Sequence, residues 1–402
     1  MNVLALRPRP NADRPLPVVD GRVARVDVIE DMAAAEPHWR ALEAGHSLGT
    51  PYQRYDFLNL WQRHIGTAAG VTPFIVVGFN AAGSPLFLWP FGRRMLAGLR
   101  VVEFLGGKHA NFNMGLWRRD VLAGIGADDL RAVLARLTGR ADLLRLTNQP
   151  LTWAGTTNPF ALLPHQRSAN YGFSGALIPD FDALLRAHTN SATRKKMRKK
   201  ERALASYGAV SFVQAHDPDE MRRMLDVFFK QKSARMRVLG ITDAFAPPGV
   251  RRFIEAAATE RLAGGAPLIE IYALSVGDIV VAIYGGIVGG GRFCAMFNSI
   301  IQDRYAAESP GEQLLVRLVQ HCCERGLDCF DLGIGEANYK TLFCNDAEPL
   351  FDCHLPLSAG GHLLGTALAA AGATKRSIKG HAALWSLVRA ARRLRARLSA
   401  SI

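Results

Sequence analysis

The sequence predicts an α+β fold made of two copies of one unit, each a mixed, mostly antiparallel sheet flanked by helices. Three observations carry this. Short apolar runs rich in β-branched and aromatic residues, joined by Gly-containing turns, fall in two clusters, 73–105 and 268–300. Helical periodicity precedes each cluster, and one more helix and strand follow it. A chain of 402 residues, 49% hydrophobic and 21% charged, can bury a core in each unit, and this composition excludes a disordered or coiled-coil class.

Residues 1–21 are Pro-rich and polar and read as a mobile leader. The apolar run inside it is broken by Pro and Arg and lacks the core of a signal peptide. The first unit, 22–174, opens on an alternating strand at 24–30. Helices are expected at about 31–44, with Trp39 and Leu42 on one face, and at about 53–65. Strands follow at 73–79 (PFIVVGF), 85–92 (PLFLWPFG) and 99–105 (LRVVEFL), then a helix near 127–138 and a strand at 142–147. The second unit, 175–360, repeats this order without obvious sequence identity to the first. A basic helix at 190–207 stops at Gly208, and a strand follows at 209–214. The next helix, about 218–236, has Asp217 as N-cap, Pro218 at its first position and Glu220 at its third. Another covers about 248–264. Strands at 268–275, 279–287 and 292–300 form a meander through Gly277-Asp278 and Gly289-Gly290-Gly291. A helix at 310–325 ends at Gly326, before a strand at 328–333. The longest apolar stretch, 267–289, carries Glu270, Asp278 and several Gly, and reads as strands and not as a membrane helix.

The net charge of +14 is local. RKKMRKKER at 194–202 contributes +6, the segment 375–397 contributes +8, and the rest is formally neutral. Two patches favour local anionic partners, phosphates or a lipid surface, over a wrapped nucleic acid. The first patch lacks the interleaved aromatics of a base-stacking surface. The tail, 361–402, ends in a basic amphipathic helix: Leu384, Leu387, Val388, Ala391, Leu394 and Leu398 share a stripe, with Arg389, Arg392, Arg393 and Arg397 beside or opposite it. This fits attachment to an anionic membrane surface from the cytoplasmic side. The six cysteines lie between 294 and 353 with no CxxC and no His at zinc spacing. They read as reduced, buried thiols of a cytoplasmic protein with no metal.

The chemistry concentrates in 297–340, FNSIIQDRYAAESPGEQLLVRLVQHCCERGLDCFDLGIGEANYK. A strand enters a loop that ends at Ser309. Ser309 at N-cap and Glu312 three residues on make a capping box. Pro310 presets the first turn, and Gly311 leaves the backbone bare. The free N–H groups of that turn, with the helix dipole, make an anion site.

This order, strand–SPG–helix–strand followed by DLGIGEANYK, resembles the GNAT-type acyltransferase domain of the cellulose-biosynthesis-associated CelD/BcsL proteins, relatives of the FemAB-like group with two GNAT-like folds in tandem. SATRKKMRKKERAL at 191, FFKQKSARMRVLGI at 228, FAPPGVRRF at 245, and LFLWPF with FLGG in the first half support it, over roughly 25–360. The resemblance implies two GNAT-like (acyl-CoA N-acyltransferase) domains and an acetyl-CoA or other acyl-CoA donor, whose pyrophosphate meets the N–H groups of Gly311, Glu312 and Gln313. Ser309, Arg304 and Lys340 complete that expected donor site. An acyl transfer from a thioester needs a base for the acceptor and an acid for the leaving thiolate. Tyr339, just past the strand 328–333, is the expected acid; Asp331 and Glu270, on strands, are the candidate bases. Lys108, His109, Asn111 and Asn113, in the polar loop GGKHANFN, and Arg198 in the basic helix are the candidate acceptor-binding residues. The acceptor implied is an amine or hydroxyl of a cell-envelope or exopolysaccharide-related molecule. Two other classes stay open: a catalytically silent scaffold docked through the basic tail, and a FemAB-like aminoacyl transferase whose charged tRNA lies on RKKMRKKER.

Overall fold

The computed structural model describes residues 23–260, 265–335 and 342–381. The first half runs β1 (Arg25–Ile29), α1 (Met32–Ala44), β2 (Ser47–Leu48), α2 (Tyr55–Trp61), β3 (Thr72–Phe79), β4 (Pro85–Leu96), β5 (Leu99–Phe104), β6 (Leu116–Arg118), α3 (Ala127–Ala135), β7 (Leu143–Pro150), and the small hairpin β8 (Thr152–Trp153) and β9 (Thr156–Thr157). The second half runs β10 (Gln166–Ala176), α4 (Phe181–His188), α5 (Ser191–Ala205), β11 (Val210–Gln214), α6 (Pro218–Leu239), α7 (Pro248–Thr259), β12 (Glu270–Val276), β13 (Ile279–Gly289), β14 (Arg292–Ile300), α8 (Pro310–Glu324), β15 (Cys329–Ile334), β16 (Asp346–Pro356) and α9 (Ala359–Gly380).

One mixed, mostly antiparallel sheet spans the molecule in the order β1-β3-β4-β5-β7-β16-β10-β15-β14-β13-β12-β11, with β6 and then β2 branching from β4. Its pairing repeats. β1, β3, β4 and β5 are antiparallel neighbours, and β7 then lies parallel to β5. β11, β12, β13 and β14 are antiparallel neighbours in the same way, and β15 lies parallel to β14. In each half the parallel strand is reached through a helix, as a crossover between parallel neighbours requires. β16 and β10 join the halves, since β16 pairs both β7 and β10. The expected boundary at 174/175 therefore falls inside β10.

Local chemistry sets the helix ends. The Asp217 carboxylate accepts the N–H groups of Asp219 and Glu220, both at 2.9 Å, and Pro218 follows it. Gly240, at φ 62°, closes α6: its N–H donates to the Arg237 carbonyl and that of Ile241 to the Met236 carbonyl, a Schellman motif. The expected single helix over 53–65 is instead a 3₁₀ turn at Pro51–Gln53, α2, and a π turn at Gln62–Gly66. β16, not expected from the sequence, lies in the middle of the sheet between β7 and β10. α6 and α7 pack on one face of the second-half sheet, against Ile271, Ala273, Ile283 and Phe297; α4, α5 and α8 pack on the other, against Tyr272, Leu274, Ala282 and Phe293. All six cysteines are free thiols, five of them buried.

α9 lies on β7, β10 and β16. Arg376 donates to the Arg167 carbonyl at 2.6 Å, and Lys379 reaches the Ala169 carbonyl and Asn170 Oδ1, both at 3.0 Å. Two of the first three basic residues of the expected membrane tail, Arg376 and Lys379, are thus bonded to the protein's own sheet, and Lys375 is exposed. The rest of that segment, from 382 on, and the leader 1–21 lie outside the described residues. No helix among the described residues is long and apolar enough to cross a membrane.

β5 and β7 are clamped at their edge. Arg100 donates to Asp142 through its backbone N–H at 2.9 Å and its guanidinium at 3.0 and 3.1 Å. These bonds hold the Asp142 carboxyl down at about 2, from its ordinary 3.8. A depressed folded pKa stabilises the fold above the unfolded value and is lost as pH falls through the folded one. Denaturant unfolding between pH 5 and 2 is therefore expected to show a stability loss toward pH 2 that Asp142→Asn reduces.

Candidate functional site

The site is organised by β14, α8 and β15. β14 and β15 pair over three residues only, Arg292, Phe293 and Cys294 with Cys329, Phe330 and Asp331. Beyond Cys294 the two strands part, and β15 goes on beside β10. The opening is plugged from the first half. Asn111 Nδ2 donates to the Ala295 carbonyl at 3.1 Å and to the Tyr52 hydroxyl at 2.9 Å. Gly333, at φ 69°, makes room for it: a Cβ there would stand 2.4 Å from Asn111 Nδ2.

Below the opening lies a buried ion cluster. The Asp331 side chain is fully buried, and Arg292 donates to it at 3.0 and 3.1 Å and to Glu348 at 2.9 and 3.0 Å. The guanidinium stacks over Trp153 at 4.3 Å and Phe112 at 5.5 Å, both from the first half. Burial pushes the Asp331 carboxyl above its ordinary range, and Arg292 pulls against that shift. Burial likewise opposes the Arg292 charge, but Asp331 and the nearby Cys329 and Glu348 outweigh it and raise the arginine's pKa. Each of the two is the other's partner in the cluster. Asp331, an expected base, is thus bound to Arg292 and the Gly333 N–H and has no exposed surface.

Glu270, the other expected base, is engaged as well. Both its oxygens are held by Arg325, at 2.7 and 2.9 Å, and one accepts the Tyr272 hydroxyl at 2.6 Å. Arg325 caps the C-terminal end of α8. A helix of that length places it about 20 Å from Ser309. A carboxylate locked in three bonds at the far end of the helix is a tie between α8 and β12. Tyr339 and Lys340 lie outside the described residues.

The start of α8 departs from the expected capping box. A 3₁₀ helix, Arg304–Glu308, runs straight into α8, so Ser309 serves both as its end and as the N-cap of α8. That junction puts Ser309 at φ 52°, ψ 54°, where its hydroxyl does not cap the helix and instead accepts a bond from Lys200 Nζ of α5. The Ser309 carbonyl takes the N–H groups of Glu312 at 3.0 Å and Gln313 at 3.2 Å. Two of the three N–H groups expected to meet a pyrophosphate are already bonded. Gly311 is buried against Ile300, whose Cδ1 would lie 2.3 Å from a Cβ. Its bare Cα serves helix–strand packing. Gly311→Ala is expected to cost about 1–3 kcal/mol by overpacking, with part restored by Ile300→Val in the same chain; urea unfolding measures both. Arg304 also stands elsewhere, donating to the Tyr305 hydroxyl at 2.9 Å and stacked over Tyr305 and Tyr207.

What the start of α8 does border is a groove of about 360 Å³ between α4, α5 and α8. Arg194, Arg198, Lys200 and Arg317 line it with Ser309 and Gln313, over a floor that includes Leu185, Met197 and Val316. Arg317 is paired with Glu201 at 2.9 Å. The structure thus brings Arg198 together with Ser309, Glu312 and Gln313 in one cationic groove. Arg194 and Lys200 lie in the basic run but were not singled out with Arg198, and Arg317 was not expected. A signal existed: Arg194, Met197, Arg198 and Glu201 recur at helical spacing, and Met197 is the one apolar residue of the basic run.

The GGKHANFN loop sits at the junction of the halves. His109 accepts the Trp61 indole N–H at 3.2 Å, packs edge-on against Phe253 of α7, and is pushed down to about 4 by burial, so it is neutral. Asn113 donates to the Thr147 carbonyl at 3.0 Å. Only Asn111 reaches the opening between β14 and β15, and Lys108 is exposed. The loop therefore packs into the junction of the halves, with Gly107 and Lys108 at the surface. On the other sheet face, Lys232 was also missed. It donates to the Asn298 carbonyl at 2.9 Å, on the length of β14 beyond its pairing with β15, and burial lowers its pKa.

The second half thus has four antiparallel strands, a helix, and a parallel strand that splays from the last of them. Residues 191–341 match the family described as acetyltransferase (GNAT) domain. Over these residues the fold is that of a GNAT domain. Two solved structures share it over most of the chain. FemX, at 10% identity, aligns over 79% of this chain and 95% of its own with a TM-score of 0.52. A conserved protein of unknown function from Bacteroides thetaiotaomicron, at 11% identity, aligns over 82% of this chain and 100% of its own with a TM-score of 0.50. No protein of curated function matches the chain. At these identities the likeness is one of fold. Among the described residues no cluster of His, Cys, Asp or Glu is placed to hold a metal.

Proposed function

We propose that this protein is an acyl-CoA-dependent acyltransferase acting on an amine or hydroxyl of a cell-envelope or polysaccharide-related acceptor. The observation that carries it is the cationic groove at the start of α8, beside parallel strands that part after three pairs. Arg198 and Lys200 bind donor phosphates as charge-assisted contacts, a role the bonded first turn of α8 leaves to side chains. The reaction breaks the thioester C–S bond and forms a C–N or C–O bond. The acceptor's proton leaves with a base or water, and the thiolate departs as a thiol. Asn111, fixed at the opening by Tyr52 and the Ala295 carbonyl, orients the acyl end. Calorimetric titration with acetyl-CoA and with CoA tests the reading; no heat at millimolar ligand overturns it.

A second reading, transfer from a charged tRNA, is favoured by one observation. α5 carries Lys195, Lys196, Lys199 and Arg202 fully on its surface, besides the groove residues. That is more basic surface than a CoA molecule covers. Steeply salt-dependent tRNA binding in place of CoA binding would select it.

A further inference from the structure

The end of α6 carries an apolar patch that neither the fold nor the proposed reaction uses. The Schellman terminator at Gly240 fixes the backbone there, so the side chains around it are held in place. Val238, Leu239 and Ile241 are 72%, 38% and 44% exposed. Eight large hydrophobic residues are exposed among the described residues, and three of them fall in these four positions, which makes a patch and not scatter. Ala244, Ala246, Pro247 and Pro248 continue the exposed apolar surface along the next loop.

The surround is cationic. Lys230, Arg235 and Arg237 are exposed, and the sequence has no carboxylate between Asp226 and Asp243. Both of those acids are engaged: Asp226 holds Arg251, and Asp243 accepts the Ser233 hydroxyl and the Phe245 N–H. The tip stands at the same end of the sheet as the groove, since Arg235 donates at 2.9 Å to Gln302, between β14 and the 3₁₀ helix that leads to α8. On the other side of that 3₁₀ helix is the basic face of α5, joined to it through Lys200 and Ser309.

We propose that residues 238–248 are a docking tip for an anionic phospholipid bilayer. The apolar side chains enter the headgroup–acyl boundary, and the flanking cations meet lipid phosphates. Charge complementarity selects this occupant. A few apolar side chains ringed by long cations form too small a core for a stable protein interface, which needs about 800 Å² per partner. They suit a shallow wedge in a negative surface. The inference does not depend on the identity of the acyl donor.

The test is partition of the full-length protein onto vesicles of phosphatidylglycerol and phosphatidylcholine, against phosphatidylcholine alone. The wild type is expected to bind the anionic vesicles and to weaken with salt. Val238→Asp with Ile241→Asp is expected to lower the partition about tenfold or more, and Arg237→Gln about fivefold; with these side chains in solvent, the melting temperature stays close to that of the wild type. The proposal is overturned if the wild type does not bind. It is also overturned if all variants bind equally, which places attachment elsewhere in the chain. It fails too if the wild type is a dimer that the double variant splits, which assigns the patch to a second copy.

Discussion

Arg292→Met is expected to cost about 3–5 kcal/mol, the largest single-residue loss in the second half, because it strands a buried carboxylate. Asp331 has no exposed surface, and the partners left to it, the Gly333 N–H and the Cys294 thiol, carry no positive charge. In the variant, burial acts on Asp331 without the arginine's opposition, so its folded pKa rises further above the unfolded one. A carboxyl with a raised folded pKa contributes stability below its unfolded value and loses it as pH rises. The variant's deficit should therefore deepen from pH 4 toward neutrality. Adding Asp331→Asn to Arg292→Met should recover part of the loss, which denaturant unfolding of the four-member cycle measures. If Arg292→Met alone proves neutral, the buried ion cluster does not stabilise the fold.

The second large effect concerns the donor. Arg198→Gln with Lys200→Gln is expected to weaken donor binding about 30- to 1000-fold, from about 2–4 kcal/mol for two charge-assisted contacts to phosphate. Lys196→Gln, on the exposed side of α5 and outside the groove, should change CoA affinity little. A tRNA donor would respond differently: Lys196 and Lys199 would count nearly as much as the groove residues, and each loss would lower the salt slope by about one. Calorimetry for CoA and a salt series for tRNA separate the two.

The element order was legible because each strand cluster and each helix start is written locally. Asp217-Pro218 marks the start of α6 in the sequence, and the structure keeps it, while the helix runs three residues past the expected 236 to Leu239. The SPG helix start was legible as a start but not as a site. Ser309 and Glu312 have the spacing of a capping box, yet the 3₁₀ helix before them turns Ser309 away from the helix and onto Lys200. Gly311 looked bare for a ligand and is bare for Ile300. Asp331 and Glu270 looked like strand carboxylates free to take a proton; their partners, Arg292 and Arg325, are 39 and 55 residues away. No local pattern announces an ion pair at that separation.

The sequence by itself determined the repeated α+β order, the two basic segments and the helix limits, since these follow from propensity, periodicity and capping over a few residues. Only the tertiary structure decided which charges are spent and which are available. It spends Arg292, Arg325 and Arg304 on carboxylates and rings, and turns Arg194, Arg198 and Lys200 toward one groove. The physical reason is that a charge's chemistry is set by burial and by its nearest opposite charge, and both are fixed by strands and helices far apart in the chain.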